Sequence, residues 1–346
     1  MYGDTISSLA VTSGFLLAGG ALYLLFFAAW AVMREYRRDR VPALLYHQLI
    51  PRDETHLTER TDQHRAYVVY DDAFAEQMAY LDREDYTTIS LDEFLAYKKG
   101  ETLLPEKPII LTFDDGFASN YHYAFSVLKK YGMRATIFAT PDSECENFKK
   151  HASTDSPLTH AQMREMSNSG ISIQSHGMTH KYLTELEPDV VRWELTESKE
   201  VLETLLGKPV RYLAIPSGAY NRTVKKLAKE AEYEAVFCML KGSNNKNSDR
   251  YALRRLVIGR EISIADFHRI LQPSTACYLR FTSSVQNMLH FLLGPRGLDA
   301  LRDLLYGSWL GSVLTRSQLS YLVPSLAVFV FFTLAFSVIL LLRTYF

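Results

Sequence analysis

The sequence predicts an α/β protein whose strands run parallel in one sheet, open or closed into a barrel. Three observations predict it. Short apolar, β-prone runs alternate with helical patterns from residue 41 to residue 271. Residues 109–113 are nearly all apolar, as in a strand buried on both faces of a parallel sheet. Several runs close on residues that carry chemistry: His47, Asp114 with Asp115, His176, and Pro216-Ser217-Gly218. In parallel α/β barrels that strand edge is where sites are built.

The chain opens on an uncharged apolar run at 9–33, long enough for a membrane span of about 20 residues. Asp4 is the sole charge before it, so the run lacks the basic start of a cleaved signal. Arg34, Arg37, Arg38 and Arg40 follow at once, and by the positive-inside rule the middle of the chain is expected on the cytoplasmic side. Residues 41–46 form a short strand ending at His47, and 51–64 read as a polar loop. A helical pattern from Asp72 (Phe74, Met78, Leu81) leads to a strand at 87–90 and a helix at 91–99 stopped by Gly100. The central strand 109–113 precedes a helix over 120–131, ended by Gly132, and a strand at 135–139. Thr159 caps a helix through Asn168, Gly170 stops it, and a strand follows at 171–175.

Residues 188–206 form a long amphipathic helix (Val191, Leu195, Leu202, Leu205) closed by Gly207. A strand at 212–215, a helix at 221–231, a strand at 235–238 and an Asn/Ser-rich loop at 242–249 come next; runs at 253–258 and 265–271 close the series. Residues 281–319 mix Leu, Phe and Trp309 with scattered charge, and read as amphipathic helices on a membrane surface or packed on the domain. Residues 322–342 form a second uncharged span, in which Pro324 is tolerable. The expected organisation is a span with basic linker (1–40), an α/β domain (41–272), amphipathic helices (273–320) and a span (321–346), a two-span membrane protein. The net charge of -1 argues against a nucleic-acid binder. Cys145, Cys238 and Cys277, odd in number and without pair spacing, argue against a disulfide framework.

Two adjacent carboxylates directly after a buried strand are costly unless something positive lies beside them. A divalent metal meets that need. His176 and His180 are four apart, and a helical turn would bring both imidazoles to one point. With one carboxylate they make a two-histidine, one-aspartate set that leaves open positions, as a catalytic zinc requires. Plainer readings exist beside this one. Asp114-Asp115-Gly116 also suits a helix cap or turn, and His47 also suits a core histidine bonded to backbone.

Thr112-Phe113-Asp114-Asp115-Gly116, and Ser175-His176-x-x-x-His180 with Leu183, resemble the first two motifs of the polysaccharide deacetylase family. The resemblance covers roughly residues 41–271, and the opening Leu45-Tyr46-His47 is most similar to the branch acting on poly-N-acetylglucosamine. It implies a distorted (β/α) barrel that hydrolyses N-acetyl groups of amino sugars. It further implies a divalent metal held by Asp115, His176 and His180, Zn2+ first, with Ni2+, Co2+ or Fe2+ as alternatives. Asp114 would be the base and His47 the acid that protonates the departing amine. In the family's Pro-aromatic-Gly motif a backbone N–H serves the oxyanion; Pro216-Ser217-Gly218 keeps that N–H and lacks the aromatic wall for the sugar. Arg255 corresponds to the later Arg that orients the base.

The expected function is a membrane-anchored N-deacetylase. Its expected partners are an N-acetylated glycan or lipid-linked saccharide, membrane lipid and polysaccharide synthesis machinery. The alternative is a glycan-binding or scaffolding component without turnover, which Ser217 alone supports.

Overall fold

The computed structural model describes residues 39–53, 67–151, 155–260, 262–275 and 279. The apolar runs 9–33 and 322–342, the amphipathic stretch 281–319 and most of the 51–64 loop lie outside them. Among the described residues no helix is long and apolar enough to cross a membrane.

The strands in chain order are β1 (Ala43–Tyr46), β2 (Gln48–Ile50), β3 (Val68–Tyr70), β4 (Thr87–Thr88), β5 (Pro108–Phe113), β6 (Thr136–Ala139), β7 (Ser172–Ser175), β8 (Tyr212–Ala214), β9 (Ala235–Lys241) and β10 (Leu253–Val257). The helices are α1 (Asp71–Arg83), α2 (Leu91–Lys99), α3 (Phe125–Lys130), α4 (Glu146–His151), α5 (His160–Asn168), α6 (Pro188–Leu206), α7 (Arg222–Glu230) and α8 (Ile264–Leu271).

The sheet order is β1-β10-β9-β8-β7-β6-β5, all parallel, and β5 pairs back onto β1. The register Ala43↔Ile110 to Tyr46↔Phe113 closes seven strands into a barrel, and β4 adds a short parallel edge to β5. Both β1 and β5 are buried at every position, as expected of strands covered by helices outside and by side chains within. Val41, Ala43, Ile110, Phe138, Tyr212, Phe237 and Leu253 pack in one cluster with Ile89, Leu91, Phe94 and Leu95, and the Phe138 and Phe237 rings meet edge-on at 5.7 Å.

Local chemistry sets the helix ends. Ser90 and Glu93 form a capping box at the start of α2, and Thr159 and Gln162 form another for α5. Pro188 occupies the first turn of α6, and left-handed Gly207 ends it. The chain enters and leaves the barrel side by side: Val41 exchanges backbone hydrogen bonds with Asn244 at 2.8 Å, and Arg40 donates to the Leu271 carbonyl. Cys145 and Cys238 are buried thiols in no disulfide.

Four features depart from the sequence expectation. β2 and β3 pair in a separate two-stranded ribbon, and at three residues each they are too short to show a period. The helix after β5 begins as a π-helical stretch, Asn120–Ala124. β9 runs three residues past Cys238, where a register shift against β10 hides its alternation. The six-residue α4 was not anticipated.

Gly116 is indispensable to the turn after β5. Its φ is +84°, and an added Cβ would stand 3.0 Å from the Ala139 Cβ and 3.1 Å from its Cα. Gly116→Ala is expected to destabilise the protein by about 1–3 kcal/mol, read as a lowered urea midpoint with unchanged slope.

Candidate active site

β5 delivers two carboxylates to the barrel rim. Asp114 donates its N–H to the Tyr46 carbonyl (3.0 Å), so it still follows the barrel ladder. Asp115 then turns left-handed (φ 72°), as does Gly116, and its carbonyl receives the Thr140 N–H at 3.1 Å. An aspartate tolerates that conformation better than most residues. Both side chains are buried, yet they face different partners.

Asp115 meets the two histidines. Its Oδ1 lies 3.4 Å from His176 Nε2 and 3.0 Å from His180 Nε2, and one ligand atom from each of the three residues falls within 4.8 Å of the others. The convergence is not made by a helical turn, as the four-residue spacing suggested. Residues 176–180 are an irregular loop in which Gly177 (φ +75°) and His180 (φ 58°) are both left-handed. His176 donates from Nδ1 to the Ala214 carbonyl at 2.8 Å. A carbonyl can only accept, so Nδ1 carries a proton and Nε2 is the nitrogen presented to Asp115. That is the arrangement by which a second partner presets a metal-binding imidazole. A carboxylate and two imidazoles, buried or nearly so and one with its ring orientation fixed through Nδ1, form a donor set that fits a divalent cation.

Asp114 meets Arg255. The guanidinium donates from Nη1 to Oδ1 (2.6 Å) and from Nη2 to Oδ2 (2.8 Å), and both residues are buried. Its flat face lies over Phe237, 5.3 Å from the ring centre, so β9 and β10 together fix its direction. Burial pushes the Asp114 carboxyl up, but the Arg255 charge, and then His176, outweigh it and hold it below the usual range. Asp115 also resists burial: hydrogen bonds to His176 and His180 hold it well below the ordinary value. In return the two aspartates overcome the burial of His176 and raise it.

His47 closes β1, beside β5 in the barrel. Its carbonyl receives the Asn120 Nδ2–H at 2.7 Å, and its ring packs edge-on against Tyr67 at 4.8 Å. Among the described residues its buried Nδ1 has no hydrogen-bond partner. Burial pulls its pKa below the ordinary histidine value, with Asp115 and Asp114 pulling back. Pro216, Ser217 and Gly218 form a tight turn after β8, in which exposed Ser217 is left-handed (φ 55°). Pro216 abuts the histidine loop: its Cγ is 3.3 Å from where a Cβ on Gly177 would stand.

Sequence reasoning did not find two supporting residues. Asn120, fully buried at the start of the π-helical stretch, pins the backbone of His47. Glu194 on α6 accepts the N–H groups of Met178 (2.8 Å) and Thr179 (2.9 Å), both inside the histidine loop. A signal for it existed: a carboxylate between Val191 and Leu195 on an apolar helix stripe.

Asp155 braces the same region. Its Oδ1 accepts the N–H of Ser119 (3.2 Å) and of Ser156 (2.9 Å), and burial pushes its pKa up to about 6. The folded protein therefore binds more protons here than the unfolded chain between about pH 4 and 6, and stability falls as pH rises through that window. Asp155→Asn is expected to gain up to about 3 kcal/mol at pH 7 and nothing at pH 4, measured by urea unfolding at both.

Residues 102–236 match the family model described as polysaccharide deacetylase. YxkH of Bacillus subtilis (strain 168), which bears the family's name, is 29% identical over 240 residues, 69% of this chain and 78% of that one. The poly-beta-1,6-N-acetyl-D-glucosamine N-deacetylase of Staphylococcus epidermidis is 27% identical over 243 residues, 66% of this chain and 82% of its own. Among solved structures, the Streptococcus pyogenes deacetylase PplD in complex with acetate covers 68% of this chain and 100% of its own, with 27% identity and a TM-score of 0.59. Sequence match, closed barrel and rim chemistry agree, and the chain carries a domain of the polysaccharide deacetylase family, hydrolases of N-acetyl amide bonds.

Proposed function

We propose that the protein removes N-acetyl groups from amino sugars of a poly-N-acetylglucosamine-like glycan, using a divalent cation held by Asp115, His176 and His180. One observation carries this reading: the three donors meet at one point while Arg255 holds Asp114 ionised beside them. A cation bound there supplies Lewis acidity toward the acetyl oxygen and acidifies water. Zn2+ suits the donor set best, and Co2+, Ni2+ and Fe2+ suit it too.

The chain's own residues divide the remaining work. Asp114 keeps lone pairs free beyond its two bonds to Arg255 and takes a proton from the attacking water. The His47 imidazole, on the adjacent strand end, gives a proton to the departing amine nitrogen. The Ser217 N–H, in the turn beside the histidine loop, serves the oxyanion. With serine in place of an aromatic, that turn offers no ring for the sugar to stack on, so recognition of the glycan falls to other surfaces.

The expected result is acetate release from N-acetylglucosamine oligomers, abolished by a chelator and restored by Zn2+ or Co2+. Glycan binding without acetate release under any divalent cation would replace this reading with the scaffolding one.

We further infer that the uncharged runs 9–33 and 322–342 anchor the domain in the cell membrane. The cluster Arg34, Arg37, Arg38 and Arg40 favours the cytoplasmic side, where a lipid-linked saccharide or nascent chain would be the substrate. A reporter fused after Phe346 is expected outside the cytoplasm; a cytoplasmic reporter would overturn that orientation.

A further inference from the structure

Glu194 is a carboxylate with 0% exposure on the inner stripe of α6, between Val191, Leu195 and Ser198. Burying a carboxylate is expensive unless its oxygens are hydrogen-bonded or it faces a cation. Among the described residues, no basic side chain forms an ion pair with Glu194. Its hydrogen-bond partners among the described residues belong to one segment. Oε2 accepts the Met178 and Thr179 N–H groups at 2.8 and 2.9 Å, and Oε1 accepts the Thr179 hydroxyl. The same Oε2 stands 3.4 Å from where a Cβ on Gly177 would lie. The carboxylate thus grips the loop Gly177–Thr179 from below while Pro216 closes on it from the side.

Two longer hydrogen bonds also touch that loop: the Gly177 N–H donates to Ser175 Oγ at 3.2 Å, and the Met178 carbonyl accepts the Asp142 N–H at 3.3 Å. The loop carries left-handed Gly177 and ends on left-handed His180. A non-glycine residue in that region costs of order 1–3 kcal/mol and persists only where its surroundings impose it. His176 is fixed independently, by β7 and by its bond to the Ala214 carbonyl. Among the described residues the His180 ring has no comparable backbone tether: it meets Asp115 at 3.0 Å and His176 at 5.1 Å between ring centres. The position of the second imidazole therefore depends on the loop, and Glu194 makes three of the loop's hydrogen bonds, the two to Met178 and Thr179 N–H being its shortest backbone ties.

We propose that Glu194 is the positioning residue of the cation site, holding the loop in the path that brings His180 to Asp115 and His176. It touches neither cation nor substrate. This inference rests on the cation reading given above and adds a residue to it.

Glutamine supplies the discriminating variant. Its carbonyl oxygen can take both N–H groups and its amide can donate to the Thr179 hydroxyl, so Glu194→Gln keeps the grip and discards the charge. The experiment is Co2+ titration of the full chain in detergent, followed by visible absorption and calorimetry, with circular dichroism as the check on folding. Glu194→Ala is expected to weaken Co2+ binding by about 10- to 100-fold, while Glu194→Gln stays near the wild-type value. Thr179→Val, which removes only the hydroxyl donor, is expected to weaken it by about three- to tenfold.

Wild-type Co2+ affinity in Glu194→Ala would overturn the proposal. So would a Glu194→Gln protein as weak as Glu194→Ala, since charge rather than positioning would then be the cause. If Glu194→Ala does not fold, Thr179→Val decides, and unchanged affinity there overturns it. A wild-type chain that binds no Co2+ would fail the deacetylase reading itself, an outcome separate from these.

Discussion

Asp114→Asn is expected to lower kcat for acetate release by about 10²- to 10⁴-fold, the usual contribution of a positioned general base. Asparagine keeps the shape of the side chain and cannot take the water's proton. The substitution has a second cost, because Arg255 donates to both Asp114 oxygens at 2.6 and 2.8 Å and both residues are buried. An asparagine presents an NH2 group to one of those donors, so a guanidinium N–H loses its acceptor. Removing one partner of a buried ion pair typically costs about 3–5 kcal/mol. The measurement is therefore kcat on protein shown by unfolding curves to be folded, with Co2+ affinity as a control. Near-wild-type kcat in folded Asp114→Asn would remove the base assignment.

Arg255→Met is expected to be the most destabilising single substitution at the site, by about 3–5 kcal/mol, because it leaves Asp114 buried and unpaired. The pH dependence gives a sharper test than the size of the loss. In the wild type, burial raises the Asp114 carboxyl, while the Arg255 charge and then His176 bring it below its unfolded value. Such a group adds stability above the unfolded pKa of about 4, and that stability is lost as pH falls through the folded value. Without Arg255, burial is left as the largest influence and the folded pKa moves up. The variant then loses stability as pH rises above the unfolded pKa of about 4, the reverse of the Asp114 contribution in the wild type. The acid limb of its pH–rate profile moves up with it. Urea unfolding at several pH values reads the slope directly. The double variant Asp114→Asn/Arg255→Met, which buries no lone charge, should recover part of the lost stability.

What was legible in the sequence was mostly local. Thr159, Gly100, Gly170 and Gly207 mark helix ends through caps and left-handed stops that need no tertiary context, and the structure has each where its chemistry predicts. The strand carrying Asp114 is legible because burial on both faces demands an apolar run. Barrel closure was legible only through the family resemblance, since it depends on Leu44 pairing with Leu111 across a long stretch of chain that no period records.

The histidine spacing led to the right meeting point by the wrong backbone. Four residues suit a helical turn, but left-handed Gly177 and His180 make the approach instead, and the carboxylate that accompanies them comes from α6. A residue such as Glu194 is hard to read because its role exists only once helix and loop are packed together. Its one trace, a charge on an apolar stripe, is shared by many residues that merely reach solvent.

The central claim is that Asp115, His176 and His180 share a single divalent ion. Anomalous diffraction from crystals soaked in Zn2+ tests it most directly. The account predicts one peak about 2.0–2.2 Å from His176 Nε2, His180 Nε2 and an Asp115 carboxylate oxygen. A Zn2+ peak bound elsewhere, with these three side chains sharing none, would contradict it.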